Sequence, residues 1–477
     1  MRNPQPSVAT RRVGELPAPP GLPLLGNLLQ LDRERLHLTL ERWRQKYGDY
    51  YAFRNTRRRV LVVADPEAIA TMLRDRPDGF RRTARLASIA HEMGFDGVFT
   101  ANGEPWRRQR PMVMAGLDPA HVKSYFPALV RVTQRFAARW QRAAAAGTAI
   151  DLQADLMRYT VDVTAGLAFG ADINTIESDK DVIQRHLDKI LPALFQRLMA
   201  PFTYWRFLKL PADRALGRHL AELHRAVDGF IAGARARMDA EPRLRANPTN
   251  LIEAMIAARD TEGSGVDDAD VAGNVLTMLL AGEDTTANTL AWLIYLLSRN
   301  PSALARAREE VRVVFGNELP RRYEDLGRLP YVEACIHETM RVKPVAPIIM
   351  AEALRPSVIG DIAVPAKQLV MCLMRPAPTD ERHFPNAAAF DPTRWLDPQR
   401  AAAGKRVSMP FGAGPRLCPG RYLAMLEMKM VTAMLLAHFD IAEVITPGGA
   451  EPREHLALTM SPIGLRLRLR NSGSGTG

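Results

Sequence analysis

Cysteine is almost missing from this chain: its 477 residues include only Cys335, Cys372 and Cys418. No Cys-x-x-Cys occurs, which argues against a disulfide scaffold and a structural zinc site and fits a reducing compartment. No N-terminal run reaches the roughly eighteen apolar residues of a membrane span. We therefore expect no transmembrane anchor or signal peptide, and a cytoplasmic location. The net charge is +12, yet no compact basic block, zinc module or aromatic-studded basic face accompanies it. Nucleic acid is thus not an expected partner, and most of the excess reads as solvated arginine. Internal repeats and low-complexity blocks are also lacking. With 47% hydrophobic and 24% charged residues, the composition is that of a soluble globular protein able to enclose a cofactor.

What is present centres on Phe411-Gly-Ala-Gly-Pro-Arg-Leu-Cys-Pro-Gly420. Gly412, Gly414 and Gly420 permit positive φ and close approach of a neighbour. Pro415 and Pro419 remove amide donors and stiffen the loop around Cys418. The spacing of Leu423, Leu426, Met430, Ala433 and Met434 predicts a helix over Arg421–Ala437. Cys418 therefore stands just before a helix N-terminus, where thiolate is favoured over thiol. A lone cysteine is ordinarily a small buried hydrophobe, but such a residue has no use for this many glycines and prolines.

A second chemical segment lies in a helix predicted from Asp267 to Arg299, stopped by Asn300-Pro301. Glycine inside a helix costs about 1 kcal/mol, so Gly282 in Ala281-Gly-Glu-Asp-Thr-Thr286 needs a reason. Ala281 and Gly282 are small enough for a flat ligand or O2 to approach that face. Asp284 and Thr285 can loosen the helix and carry protons. Further on, Glu338 and Arg341 share one helix face. Trp106 and Arg110, four apart in a helix opening after Glu104-Pro105, share another, while Arg107 and Arg108 point elsewhere.

Residues Met1–Leu16 are expected to be disordered, Pro17–Asn27 extended on the surface, and 471–477 a flexible tail. Tyr50–Arg54, Val60–Val63, Val358–Val364 and Leu369–Leu373 read as strands of a small β lobe. Most of the rest reads as helix, with long amphipathic runs at Ala120–Ala146, Leu152–Phe169, Ala212–Met238 and Ser302–Phe315. Leu191–Leu210, with Pro201 and Pro211 as breakers, reads as a connector between two helices packed by its own aromatics. The expected class is mainly α with a small β lobe, in a single domain, 17–470, and a monomer.

Phe411, Gly414, Arg416, Cys418 and Gly420 at their spacing resemble the haem-binding loop of the cytochrome P450 family. The 281–285 segment resembles that family's oxygen-activation motif. Glu338-Thr-Met-Arg341 and Phe390-Asp-Pro-Thr-Arg394-Trp395 are similar to its structural motifs. The resemblance spans nearly the whole chain and implies a soluble bacterial-type haem-thiolate monooxygenase with the P450 fold. On it, haem b (iron protoporphyrin IX) takes Cys418 as axial iron ligand. Phe411, Gly412, Ala281 and Gly282 would lie against the haem, and Arg416, Trp106 and Arg110 would contact its propionates. Thr285 would hydrogen-bond in oxygen activation, Asp284 would relay protons, and Glu283 would belong to a surface or salt-bridge network. Glu338, Arg341 and Arg394 would buttress the cysteine loop. The implied reaction inserts one atom of O2 into a lipophilic fatty acid, terpenoid, steroid or polyketide. NAD(P)H electrons would come through ferredoxin and ferredoxin reductase, or a flavodoxin-type donor. Arg107, Arg108, Lys405, Arg406, Arg421 and Lys429 are candidates for its docking face.

Two departures stand out. The family's Arg-x-Ala, whose arginine also reaches the haem, is Ala351-Glu-Ala here, and its His-Arg-Asp-Pro is Pro378-Thr-Asp-Glu381. Two rival activities remain: a peroxygenase or isomerase needing no electron donor, and a haem-based sensor or carrier without turnover.

Overall fold

The computed structural model describes residues 10–56, 58–178, 182–200 and 202–472. They form two compact units. The first takes the described residues of Met1–Ser88, Met340–Ala389 and Asp397–Cys418. The second takes those of Ile89–Thr339, Phe390–Leu396 and Pro419–Gly477. The expected class holds: helices dominate, and the sheets are small.

In the first unit a five-stranded sheet runs in the order Tyr50–Asn55, Arg58–Val63, Leu369–Leu373, Ile348–Ala353, Phe80–Arg81. The Arg58–Val63 strand is rich in β-branched valine, and Val60, Leu61, Val62 and Val63 are all buried. The 58–63 and 369–373 strands pair in parallel, and the other pairs are antiparallel. Helix Pro66–Arg74 begins as its sequence implies. Asp65 accepts from Ala68 N at 2.8 Å, and Pro66 occupies the first turn. Its apolar face joins Leu61, Val63, Ile362, Val370 and Cys372 in one core.

Three sequence expectations change. The Ser357–Ile359 and Ile362–Val364 hairpin does not join the larger sheet. It pairs instead with Arg11–Arg12, in the order 11–12, 362–364, 357–359. Residues 10–16, expected to be disordered, are therefore ordered, while 1–9 lie outside the described residues. Arg11 makes a two-point contact with Asp361, both bonds at 2.8 Å, and Val13 and Leu16 are buried. The charge of this segment masked its two apolar anchors. At the other end, Asn471 pairs with Phe439 and Ser472 N donates to His438 O, so the tail is ordered through 472.

The second unit is built around helix Asp268–Arg299. Asp267 caps it, with Asp270 N donating to Asp267 Oδ1 at 2.7 Å and Asp267 N to Asp270 Oδ2 at 3.3 Å. The helix is buried along most of its length, against helices that include Leu152–Phe169 and Arg421–His438 and the hairpin Glu454–Ala457/Thr459–Pro462. A second sheet runs Phe439–Ile445, Arg466–Asn471, Ile150–Asp151.

The aromatic segment takes in the second half of helix Val182–Met199 and a short turn at Tyr204–Arg206. Its breaker Pro201 lies outside the described residues. Trp205 is buried and donates to Glu92 Oε2 at 2.8 Å, whereas Phe202 and Phe207 are 66% and 88% exposed. Its own aromatics thus pack only part of it. Among the described residues no helix is long and apolar enough to cross a membrane.

Candidate active site

In the first unit, the cysteine loop leaves helix Pro398–Ser408 through Met409, at φ 41°. Cys418 N donates to Phe411 O at 3.0 Å and closes the loop. Gly412 and Gly414 have φ of 76° and 72°. Gly414 has a second reason to be glycine: a Cβ there would lie 2.6 Å from Leu73 O and 2.7 Å from Arg74 Cα. The loop is thereby seated on the last turn of helix Pro66–Arg74. Gly420 differs from expectation. Its φ is −82°, and it acts as N-cap of helix Arg421–His438.

Cys335 and Cys372 are fully buried, and burial pushes the Cys372 thiol up to about 12. Cys418 alone among the three is only half-buried. Arg416 lies two residues before it, and Arg82 is close to both Arg416 and Arg76. An accessible sulfur in a rigid loop, flanked by concentrated guanidinium charge, suits a group that presents a soft metal centre and carboxylates. Haem fits this donor set.

In the second unit, the middle of the long helix sorts its residues by face. Ala281 is exposed and Thr285, one turn on, is half-exposed. Thr285 Oγ1 donates to Ala281 O at 2.9 Å, a back-bond that loosens the helix locally. Gly282 does not share that open face. A Cβ on it would come 2.5 Å from Thr164 Oγ1 on helix Leu152–Phe169. It lets two helices approach, and the expected approach of a flat ligand at Gly282 is corrected. For Glu283 only the surface alternative is corrected: it is 2% exposed, and its carbonyl accepts from Thr160 Oγ1 at 2.8 Å.

Asp284 is held from two sides. Asn288 Nδ2 donates to its Oδ1 at 2.7 Å, and Thr459 Oγ1 donates to its Oδ2. Asn288 in turn accepts from Gln153 Nε2 at 3.0 Å. Burial raises the Asp284 pKa despite these donors. A carboxyl with a raised pKa and hydrogen-bonded neighbours is suited to take up and release a proton. The sequence reading gave no role to Asn288 or Gln153. Asn288 was detectable in principle, four residues after Asp284 on the same helix face.

Trp106 is buried and Arg110 half-buried in helix Gly103–Gly116. Arg108 is not available for docking. Its Nε and Nη2 donate to Asp270 at 2.9 and 3.1 Å, and Gln109 Nε2 joins them at 2.6 Å. Lys429 is likewise committed, to Glu333 and to Leu326 O. Arg107, Lys405 and Arg406 are exposed.

Glu338 is fully buried and accepts from Arg394 Nε at 3.1 Å, Trp395 Nε1 at 2.8 Å and Asp391 N at 2.8 Å. Trp395 is a partner that motif reading missed. Arg341, in the first unit and fully buried, donates to Pro378 O, Ala387 O and Ala389 O at 2.7–2.9 Å. It thus pins a chain segment that has no regular ladder.

Comparison with known proteins agrees with this chemistry. The family described as Cytochrome P450 matches residues 16–466. Cyclooctatin synthase of Streptomyces melanosporofaciens is 29% identical over 458 residues, 95% of this chain and 96% of that protein. Cyclooctat-9-en-7-ol 5-monooxygenase of the same organism is 27% identical, covering 90% of this chain and 89% of its own. A self-sufficient cytochrome P450 monooxygenase from Aspergillus terreus is 28% identical over 97% of this chain, which spans only 44% of that protein's length. The match over nearly all of the chain places it in the cytochrome P450 family, as a monooxygenase of the oxidoreductase class.

Proposed function

We propose that this P450 uses Cys418 as the thiolate ligand of haem iron and inserts one oxygen atom of O2 into a lipophilic substrate. The half-buried Cys418 in its glycine-built loop carries this reading. When bound, haem supplies oxygen activation, tuned by the thiolate. Residues of this chain do the rest. Cys418, Phe411, Gly412, Arg416, Trp106, Arg110 and Ala281 hold and orient the cofactor, within one haem domain that takes in 10–472. Thr285 offers a hydroxyl at the open edge of the long helix. Asp284 moves protons, fed through Asn288 and Thr459, and this network favours O2 over peroxide as oxidant. Glu338, Arg341 and Arg394 keep the cysteine loop's surroundings fixed.

The reduced protein under carbon monoxide should show the red-shifted Soret band of thiolate ligation, and Cys418→His should move it to the histidine-ligated position. A histidine-type band in the unaltered protein would overturn the ligand assignment. Thr285→Ala should uncouple NAD(P)H consumption from product, and unchanged coupling would refute the oxygen-activation role. Among lipophilic substrates, cyclooctat-9-en-7-ol is the first compound to screen for a spin-state shift, because a relative is named for it.

For electrons we propose a separate acidic donor of the ferredoxin or flavodoxin type, in the cytoplasm, docking on exposed basic residues that include Arg107, Lys405 and Arg406. Reversing their charge should slow reduction at low salt, and unchanged kinetics would refute that face.

A further inference from the structure

Asp284 is held by two groups of unequal chemistry. The Asn288 amide nitrogen only donates, whereas the Thr459 hydroxyl can donate and accept. A relay needs the second kind, which gives up one proton as it takes another. Thr459 opens the second strand of the hairpin Glu454–Ala457/Thr459–Pro462, so the way to Asp284 leads onto that hairpin.

The register sorts the hairpin's side chains onto two faces. Ala457 pairs with Thr459, Leu456 with Met460 and His455 with Ser461. Paired residues share a face, and successive residues alternate between faces. Leu456 and Met460 make up one face, and both are buried. His455, Ala457, Thr459 and Ser461 make up the other, and all four are half-buried. Thr459 ties this second face to the long helix through Asp284. His455 is near enough to act on the Asp284 carboxyl electrostatically. Arg453, just before the first strand, is exposed, so the row runs from the protein surface inward. Its one apolar member, Ala457, is small. Residues two apart on a strand are separated by about 7 Å, a gap that a bridging water spans.

We propose that this face is the proton entry route to Asp284. His455 takes a proton from solvent and passes it, through water beside the Ser461 hydroxyl and then through Thr459, to the carboxylate. The ring N–H bond of His455 breaks and an O–H bond forms at Asp284 Oδ2. Thr459 gives up one proton and gains one, and the neutral imidazole reloads from solvent. Imidazole suits the entry because it ordinarily exchanges protons near neutrality. This rests on the reading that Asp284 carries protons in the reaction. His455 and Thr459 act through Asp284 and are positioning residues.

Infrared spectroscopy of the haem-loaded protein after mixing with D2O follows exchange of the Asp284 carboxyl proton. The COOH band is identified by its loss in Asp284→Asn. His455→Gln and Thr459→Val should each retain the band but slow its shift to COOD about a hundredfold, the lower end of what a positioned proton carrier supplies. Thr459→Ser, which keeps the hydroxyl, and imidazole added to His455→Gly should both show fast exchange. Under turnover, His455→Gln should lower the coupling of NAD(P)H consumption to product and raise the solvent deuterium isotope effect.

Exchange as fast as the parent's in His455→Gln or Thr459→Val overturns the proposal. So does slow exchange that neither added imidazole nor Thr459→Ser restores. Coupling unchanged in Asp284→Asn would instead defeat the underlying reading of Asp284 as proton carrier.

Discussion

Replacing Gly282 by alanine separates helix packing from ligand approach. On helix propensity alone the change should stabilise by about 1 kcal/mol. The new Cβ, however, would meet Thr164 Oγ1 at 2.5 Å, Cγ2 at 3.1 Å and Cβ at 3.3 Å. Thr164 is 4% exposed and β-branched, so rotating it only exchanges a hydroxyl for a methyl at the contact. Overpacking of this kind costs about 1–3 kcal/mol, leaving Gly282→Ala destabilised by about 1 kcal/mol. Among the described residues the Thr164 hydroxyl makes no hydrogen bond, so Thr164→Ala discards an unsatisfied buried group and should be neutral or stabilising. In Gly282→Ala/Thr164→Ala the clash is gone and the propensity gain remains. The double variant should therefore match or exceed the parent, with a coupling of at least about 1 kcal/mol between the sites. Denaturant unfolding of the four proteins, followed by circular dichroism, measures it. An unchanged penalty for Gly282→Ala in the Thr164→Ala background would refute the packing role.

Other outcomes follow from the buried polar groups. Glu338→Gln leaves the Arg394 guanidinium buried without its counter-charge and should cost about 3–5 kcal/mol, seen as a large drop in melting temperature. Glu333 is held down to about 2, first by its hydrogen bond to His337 and then by Lys429, against burial. Its folded value lies below its ordinary 4.5, so its contribution is present above that value and lost as pH falls toward 2. Glu333→Gln should flatten the stability–pH curve across that interval, and an unaltered slope would count against the pairing. Thr459→Val removes a donor that lowers the Asp284 pKa, so any limb of the coupling-versus-pH profile due to Asp284 should move to higher pH. A limb that stays in place would mean Thr459 does not act on that carboxyl.

The sequence by itself determined the features that are local in the chain. Glycines and prolines around Cys418 encode a loop that nothing regular can replace, and Gly412 and Gly414 do adopt positive φ. Asp267 and Asn300-Pro301 delimit the long helix because caps and breakers act within a few residues. Tertiary structure decided which face each helical residue presents to a neighbour. Gly282 faces Thr164, Glu283 is buried, and Arg108 is spent on Asp270, and none of these partners is near in sequence. It also ordered Arg11–Arg12 through Ile362–Val364, some 350 residues away. It likewise joined Arg81 to Glu352, on strands some 270 residues apart. Neither segment alone reveals such a pairing, because register is fixed between distant parts of the chain.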